Sequence, residues 1–218
     1  MKKDSKAASL ALIAALALLV LTFSIAVPIL CRPFYYAHIS ALDLPARTGW
    51  SAETIRQAYD QVLDFCVFGA PFGTGELAWS ESGMSHFADV RVLFRLDFIV
   101  LAASLAVCLL LWGLNRRGKF AFHRFLGRGP GFWAGAGAAA AVLVLAGLAA
   151  LDFDRAFTLF HAVFFPGKDN WIFDPATDQI ILVMPQVFFR NCAILIGGVL
   201  LVCCAGLIFA DLHRRRKR

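Results

Sequence analysis

Charge is what this chain has least of for its size. Only 17% of its 218 residues are charged while 60% are hydrophobic, and the mean hydropathy is +0.70. A water-soluble domain carries about 25% charged residues, so this composition excludes one and defines an integral membrane protein. The six cysteines include no C-x-x-C pair, which argues against a quinone-coupled thiol oxidoreductase. There is no G-x-S-x-G elbow and no Walker loop, so serine-hydrolase and P-loop chemistry lack their starting motifs. No repeat or low-complexity linker divides the chain.

What is present is a set of long apolar runs. Residues 7–30, 98–114, 129–151 and 191–210 are free of charge, and each falls in the length range of a helix crossing roughly 30 Å of hydrocarbon. Only a helix satisfies its own backbone there. The expectation is an all-α membrane protein, one membrane domain over residues 1–218 with four transmembrane helices. "MKKDSK" looks like the charged start of a signal peptide, but the run behind it exceeds the about 7 to 15 apolar residues of such peptides. "RPFYY" follows where a peptidase wants small residues, so an uncleaved first helix is expected.

Basic residues set the orientation. Lys2, Lys3 and Lys6, then Arg116, Arg117, Lys119, Arg124 and Arg128, then Arg214 to Arg218 account for 13 of the 21 Lys and Arg, all on one side of the four runs. By the positive-inside rule both termini are cytoplasmic. The net charge of +6 then reports topology and contact with membrane lipid head groups, no nucleic acid is implied, and "HRRRKR" is a stop anchor. The remaining segments, 31–97 and 152–190, are too long for simple hairpin links and are expected to form an extracellular cap of helices and loops.

In the first of them, "SAETIRQAYDQVLDFCVFG" has Ser51 as an N-cap and Ile55, Ala58, Tyr59, Val62, Leu63 and Cys66 at helical spacing, the pattern of an amphipathic helix. "GAPFGTGELAWSESG" reads as a loop. Helix is expected to resume at Ser85 as a cap, with His86 and Asp89 in or near the first turn. In the second, Phe157, Phe160, His161 and Phe164 share one stripe continuing from the third span to Pro166, and Asp174 before Pro175 reads as an N-cap.

Five histidines are candidates for chemistry. His123 and His213 lie in basic cytoplasmic segments and read as solvated; His38 has no patterned neighbours. His86 and His161 each lie on an apolar helical face near a membrane boundary on the same side. A lone boundary histidine is more often a hydrogen-bonded structural residue, but two at matching depth can meet across a helix pair. Around them the aromatics are dense: Phe34, Tyr35, Tyr36, Trp50, Tyr59, Trp79, Phe164, Phe165, Trp171 and Phe173. An interfacial belt accounts for many of these but not for their clustering with both histidines. A bridge between Cys31 and Cys192 is conceivable and not expected.

"FSIAVPILCRPFYY", "AYDQVLDF", "HFADVRVLF" and "FHAVFFPGKDNWIFDPATDQIILVMPQVFF" resemble the motifs of the lipoprotein intramolecular transacylases, a family of bacterial membrane proteins, and the resemblance covers essentially the whole chain. It implies four helices with an extracellular cap in the bacterial cell membrane. It also implies transfer of the sn-2 acyl chain of a diacylglyceryl lipoprotein to the amino group of its N-terminal cysteine, giving the lyso form. Two catalytic histidines are implied, which fall on His86 and His161, and Gln186 stands where the motif carries an acidic residue. Tyr36, Asp89, Phe164, Trp171, Phe173 and Asp174 are assigned to substrate binding.

Donor ester and acceptor amine belong to one substrate, so no metal, cofactor or partner subunit is required, and a monomer is expected. An α-amino group titrates at roughly 7.7 to 8.0 and imidazole at about 6.5, so a neutral histidine can accept the amine proton. His86, kept neutral by a helix N-terminus, would serve as the base and His161 as the donor to the carbonyl oxygen or the departing alkoxide, or the two roles are exchanged; the sequence leaves both allocations open. Two other classes stay open: a metal-dependent membrane hydrolase using His86, Asp89 and His161 with Asp154 or Asp174, and a non-catalytic lipid- or lipoprotein-binding protein.

Overall fold

The computed structural model describes residues 3–216, so Lys2 and the last two residues of the HRRRKR anchor fall outside it. The chain runs β1 (Asp4–Ser5), α1 (Lys6–Leu30), α2 (Arg32–Ala41), α3 (Leu44–Thr48), α4 (Ala52–Phe68), α5 (Glu81–Arg116), β2 (Ala121–Phe122), α6 (Pro130–Leu151), α7 (Phe153–Phe164), α8 (Ile180–Val183) and α9 (Gln186–Arg216). Four of these helices, α1, α5, α6 and α9, are long and apolar enough to span a membrane. The described residues form two compact units, one drawn from the residues up to Ile25, from Asp97–Leu148 and from Leu195 onward, the other from Ala26–Leu96 and Ala149–Ile194.

The first unit contains most of the apolar helical length. Its core is small: Val20, Leu200 and Cys204, flanked by Ala138, Ala139 and Val142. Contact is close because Gly135 of α6 faces α9, where an added Cβ would lie 2.8 Å from the Cys204 carbonyl. Small residues are what allow helices to approach in lipid, where no hydrophobic force presses them together. At one end, β1 and β2 pair in parallel with Asp4 opposite Ala121. His123 donates through Nδ1 to Asp4 at 2.7 Å, and Asp211 of α9 accepts from the Gly129 amide at 3.1 Å. The N-terminal segment, the α5–α6 link and the end of α9 are thus joined. His123 is tied rather than merely solvated.

The second unit is built like a soluble core. Ser51 caps α4 by accepting from the Thr54 amide, and Ile55, Ala58, Tyr59, Val62, Leu63 and Cys66 are all buried, as the spacing predicts. Tyr35 of α2 stacks on Tyr59 at 3.7 Å and donates to the Val183 carbonyl of α8 at 2.8 Å. Phe188 of α9 closes this cluster edge-on. His38 bonds the Phe34 carbonyl through Nδ1 at 2.7 Å and Asn191 through Nε2 at 3.0 Å, so it has partners the sequence did not disclose.

Three local expectations are corrected. Helix α5 starts at Glu81, and Ser80, not Ser85, caps it by accepting from the Gly83 amide. Ser80 is chosen because Asp178, distant in sequence, grips both its amide (2.9 Å) and its hydroxyl (2.7 Å). The stripe holding His161 does not continue the third span: Asp152 accepts from the Arg155 amide and starts α7 as a separate helix. Asp174 caps a single turn, through the Ala176 amide, rather than a helix.

Candidate active site

His86 and His161 meet. Both are buried, and their ring centroids are 5.8 Å apart with planes inclined at 33°. No hydrogen bond joins the two rings. His86 lies more than one turn inside α5, too far in for the helix dipole to govern its charge. Burial does so instead, with the neighbouring His161 adding to it, and pushes its pKa down to about 4. His161 is also lowered by burial, although its bond to the Phe157 carbonyl works the other way.

The tautomers follow from the partners. His161 Nδ1 is 2.8 Å from the Phe157 carbonyl one turn back in α7. A carbonyl can only accept, so Nδ1 carries the proton and the neutral ring presents a lone pair at Nε2. His86 differs, because its Nδ1 is sealed from solvent with no hydrogen-bond partner. An orphaned buried N–H costs more than an orphaned acceptor, so the proton belongs on Nε2. One ring therefore offers an acceptor at Nε2 and the other a donor at Nε2. Neither of these atoms has a partner or is sealed.

Aromatic rings wall the pair. Trp171 stacks on His161 at 4.4 Å and 24°, while Phe165 and Phe173 stand edge-on to His86 at 5.0 and 5.4 Å. Phe157 packs on His161 at 4.4 Å. The loop after α7 is held to α5 by polar contacts: Lys168 Nζ to Asp89 at 2.5 Å and Asn170 Nδ2 to the other Asp89 oxygen at 3.1 Å. Burial opposes the Asp89 charge, but these donors outweigh it and hold its carboxyl below the usual range. Trp171 Nε1 in turn donates to the Lys168 carbonyl at 3.1 Å. The result is a clamp that sets the indole over His161.

Of the residues assigned to substrate binding, Trp171 and Phe173 line the chamber and Asp89 belongs to the clamp. Phe164 is 49% exposed and packs only on Phe160, because α7 turns that side away from His161. Tyr36 donates to Asp60 at 2.8 Å and lies under the Arg56 guanidinium, and neither histidine ring is its neighbour. Asp174 is occupied with its own turn. Lys168 and Asn170 were missed, and Phe165 was counted among the aromatics clustered with both histidines but not assigned to binding; the polar run of residues 168–170 just before Trp171 was the available signal. Gln186 donates to Asp154 at 2.8 Å, away from the imidazoles. Cys31 and Cys192 are free. Among the described residues no three His, Cys, Asp or Glu side chains are grouped to hold a metal ion. Asp89, Asp154 and Asp174, the carboxylates such a site would need, are engaged elsewhere.

Fold and chamber together define a polytopic, mostly helical membrane protein with a paired-histidine site. The chain belongs to the lipoprotein intramolecular transacylase family: the profile described as lipoprotein intramolecular transacylase Lit matches residues 10–189, and the protein is accordingly a membrane acyltransferase. A solved structure of the membrane integral lipoprotein intramolecular transacylase Lit from Bacillus cereus superposes with a TM-score of 0.84 at 21% identity, covering 97% of each chain. A histidine-to-arginine variant of that protein matches with a TM-score of 0.79 at 21% identity over 96% of this chain and 92% of that one. A histidine-to-alanine variant gives 0.79 at 21% identity over 97% and 94%. These likenesses show a shared fold. No curated protein matches the chain.

Proposed function

We propose that this protein moves the sn-2 acyl chain of a diacylglyceryl lipoprotein onto the amino group of its N-terminal cysteine, at the extracellular face of a bacterial cell membrane, with both termini cytoplasmic. The observation that carries the mechanism is the pairing of two neutral imidazoles with opposite functions at Nε2. The amine proton goes to His161 Nε2 as the nitrogen attacks the ester carbonyl. His86 Nε2–H donates to the developing oxyanion, as a neutral imidazole of low pKa is suited to do. Attack forms the C–N bond; collapse of the tetrahedral intermediate restores the carbonyl and breaks the ester C–O bond, and His161 returns its proton to the departing glyceryl alkoxide. Of the two allocations the sequence leaves open, this one is supported by the low pKa of His86: a group titrating at about 4 is a poor base for an ammonium near 8, but a good neutral donor.

Trp171, Phe173 and Phe165 are the proposed walls that fold amine and ester together, an effect of several kcal/mol in well-oriented reactions. One chain carries every group used, so a monomer suffices. The test is tandem mass spectrometry of a lipoprotein N-terminus from a bacterium lacking its own N-acylation enzymes, with and without this protein. Transfer within one molecule conserves mass, so fragmentation must place one acyl chain on the cysteine nitrogen. An amine that remains free in the presence of the folded protein overturns the proposal.

A further inference from the structure

Arg91 and Arg95, one helical turn apart on α5, point toward the same place. A Cβ built on Gly69, the left-handed C-cap of α4, would lie 2.7 Å from Arg91 Nη2 and 3.6 Å from Arg95 Nη2. The Arg91 guanidinium lies over the Phe65 ring at 5.1 Å, and its Nε is sealed from solvent with no hydrogen-bond partner. Among the described residues neither arginine has an ion pair. The nearest α4 carboxylate, Asp64, is taken by Arg32. Two like charges at this spacing repel unless an anion lies between them.

The surroundings indicate which anion. At about 1.5 Å per residue, Arg95 and Arg91 lie roughly 5 and 10 Å along α5 from the start of the apolar stretch at Phe98, the depth of the head-group layer. Near the pair along the chain stand exposed apolar side chains: Phe68 at 73% exposure, Val92 at 63% and Leu96 at 55%. A free phosphate would meet these groups with nothing to match them, whereas a phospholipid supplies phosphate and acyl chain at once. Arginine forks fit phosphate oxygens in pairs.

We propose that Arg91 and Arg95, with the Gly69 end of α4, form a binding site for the phosphate of a phospholipid, separate from the histidine chamber. Glycine at this C-cap suits its positive φ of 78°, and a larger residue there would displace the Arg91 guanidinium.

The experiment is native mass spectrometry of the full-length protein in detergent, titrated with dioleoylphosphatidylglycerol or with inorganic phosphate. The wild type should retain one more phosphatidylglycerol than Arg91→Gln/Arg95→Gln at the same lipid concentration, with at least tenfold weaker binding of that last lipid in the variant. Excess inorganic phosphate should not displace it. If the double variant melts below the working temperature, Arg95→Gln, an exposed position, should still weaken the same lipid at least threefold with an unchanged melting curve. Equal lipid retention by a folded variant overturns the site, and displacement by phosphate overturns the lipid as its ligand.

Discussion

In the unit that holds most of the apolar helical length, the fully buried side chains are small, Ser9, Ser24 and Cys204, whereas in the other they include Tyr35, Leu44, Ile55, Ile180 and Val183. Large side chains in the first unit face outward instead: Leu110 is 60% exposed, Leu145 65% and Val202 73%. The difference teaches which solvent each region was built against. Burying a leucine from water stabilises by about 1.5–3 kcal/mol, but burying it from lipid gains almost nothing, so apolar bulk goes outside and small groups go between helices. The two imidazoles meet where the large side chains are buried, in packing that dries and orients their rings.

The sharpest way to break this contrast is a pair of truncations. Ile55→Ala should cost about 2–5 kcal/mol of unfolding free energy in mixed micelles, since it opens a cavity, and Leu145→Ala should stay within about 0.5 kcal/mol. Equal losses would erase the distinction between the units. Next in size, His161→Ala and His86→Ala should each lower single-turnover acyl transfer at least about a hundredfold, equivalent to about 2.7 kcal/mol, with the double variant scarcely worse than either. A folded His161→Ala protein with full activity would return that residue to a structural role.

A smaller effect is expected from acid. His86 titrates at about 4 when folded and near 6.5 when unfolded, so between those values the unfolded chain binds the extra proton and stability falls as pH falls. From pH 7 to 5.5 this contribution should drop by about 1 kcal/mol in the wild type and vanish in His86→Ala; identical pH curves for the two would refute the burial account. Tyr35→Phe should cost about 1 kcal/mol because the Val183 carbonyl loses its donor, which an urea titration of the melting curve can resolve. Smallest of all, His123→Ala should leave acyl transfer unchanged, since its bond to Asp4 belongs to the unit without the chamber.

Much of this architecture was legible from composition and period. Four long apolar helices were legible in the charge-free runs, although α5 and α9 extend well beyond residues 98–114 and 191–210, and the buried face of α4 and its Ser51 cap stand where the local spacing placed them. The cap of α5 was misread because Ser80 and Ser85 are locally similar and Asp178 decides between them from far along the chain. Periodicity put Phe160, His161 and Phe164 on one stripe but could not say which edge turned inward, since near a membrane an apolar face has two possible environments. The clamp of Lys168 and Asn170 on Asp89 joins a loop to a helix and leaves no periodic trace. The tautomers of the two rings depend on the partners of individual ring nitrogens, which no spacing encodes.

The Nδ1 bond of His161 has a consequence for protein design. Many catalytic histidines take their orientation from a neighbouring carboxylate, and in an apolar setting that carboxylate must itself be desolvated and satisfied. Here the acceptor is the backbone of the same helix one turn earlier, and His38 bonds its own helix in the same way. An imidazole held like this brings its tautomer with it wherever the helix is placed. An oriented base could therefore be transplanted into an apolar bundle as a single substitution, with no second residue to position.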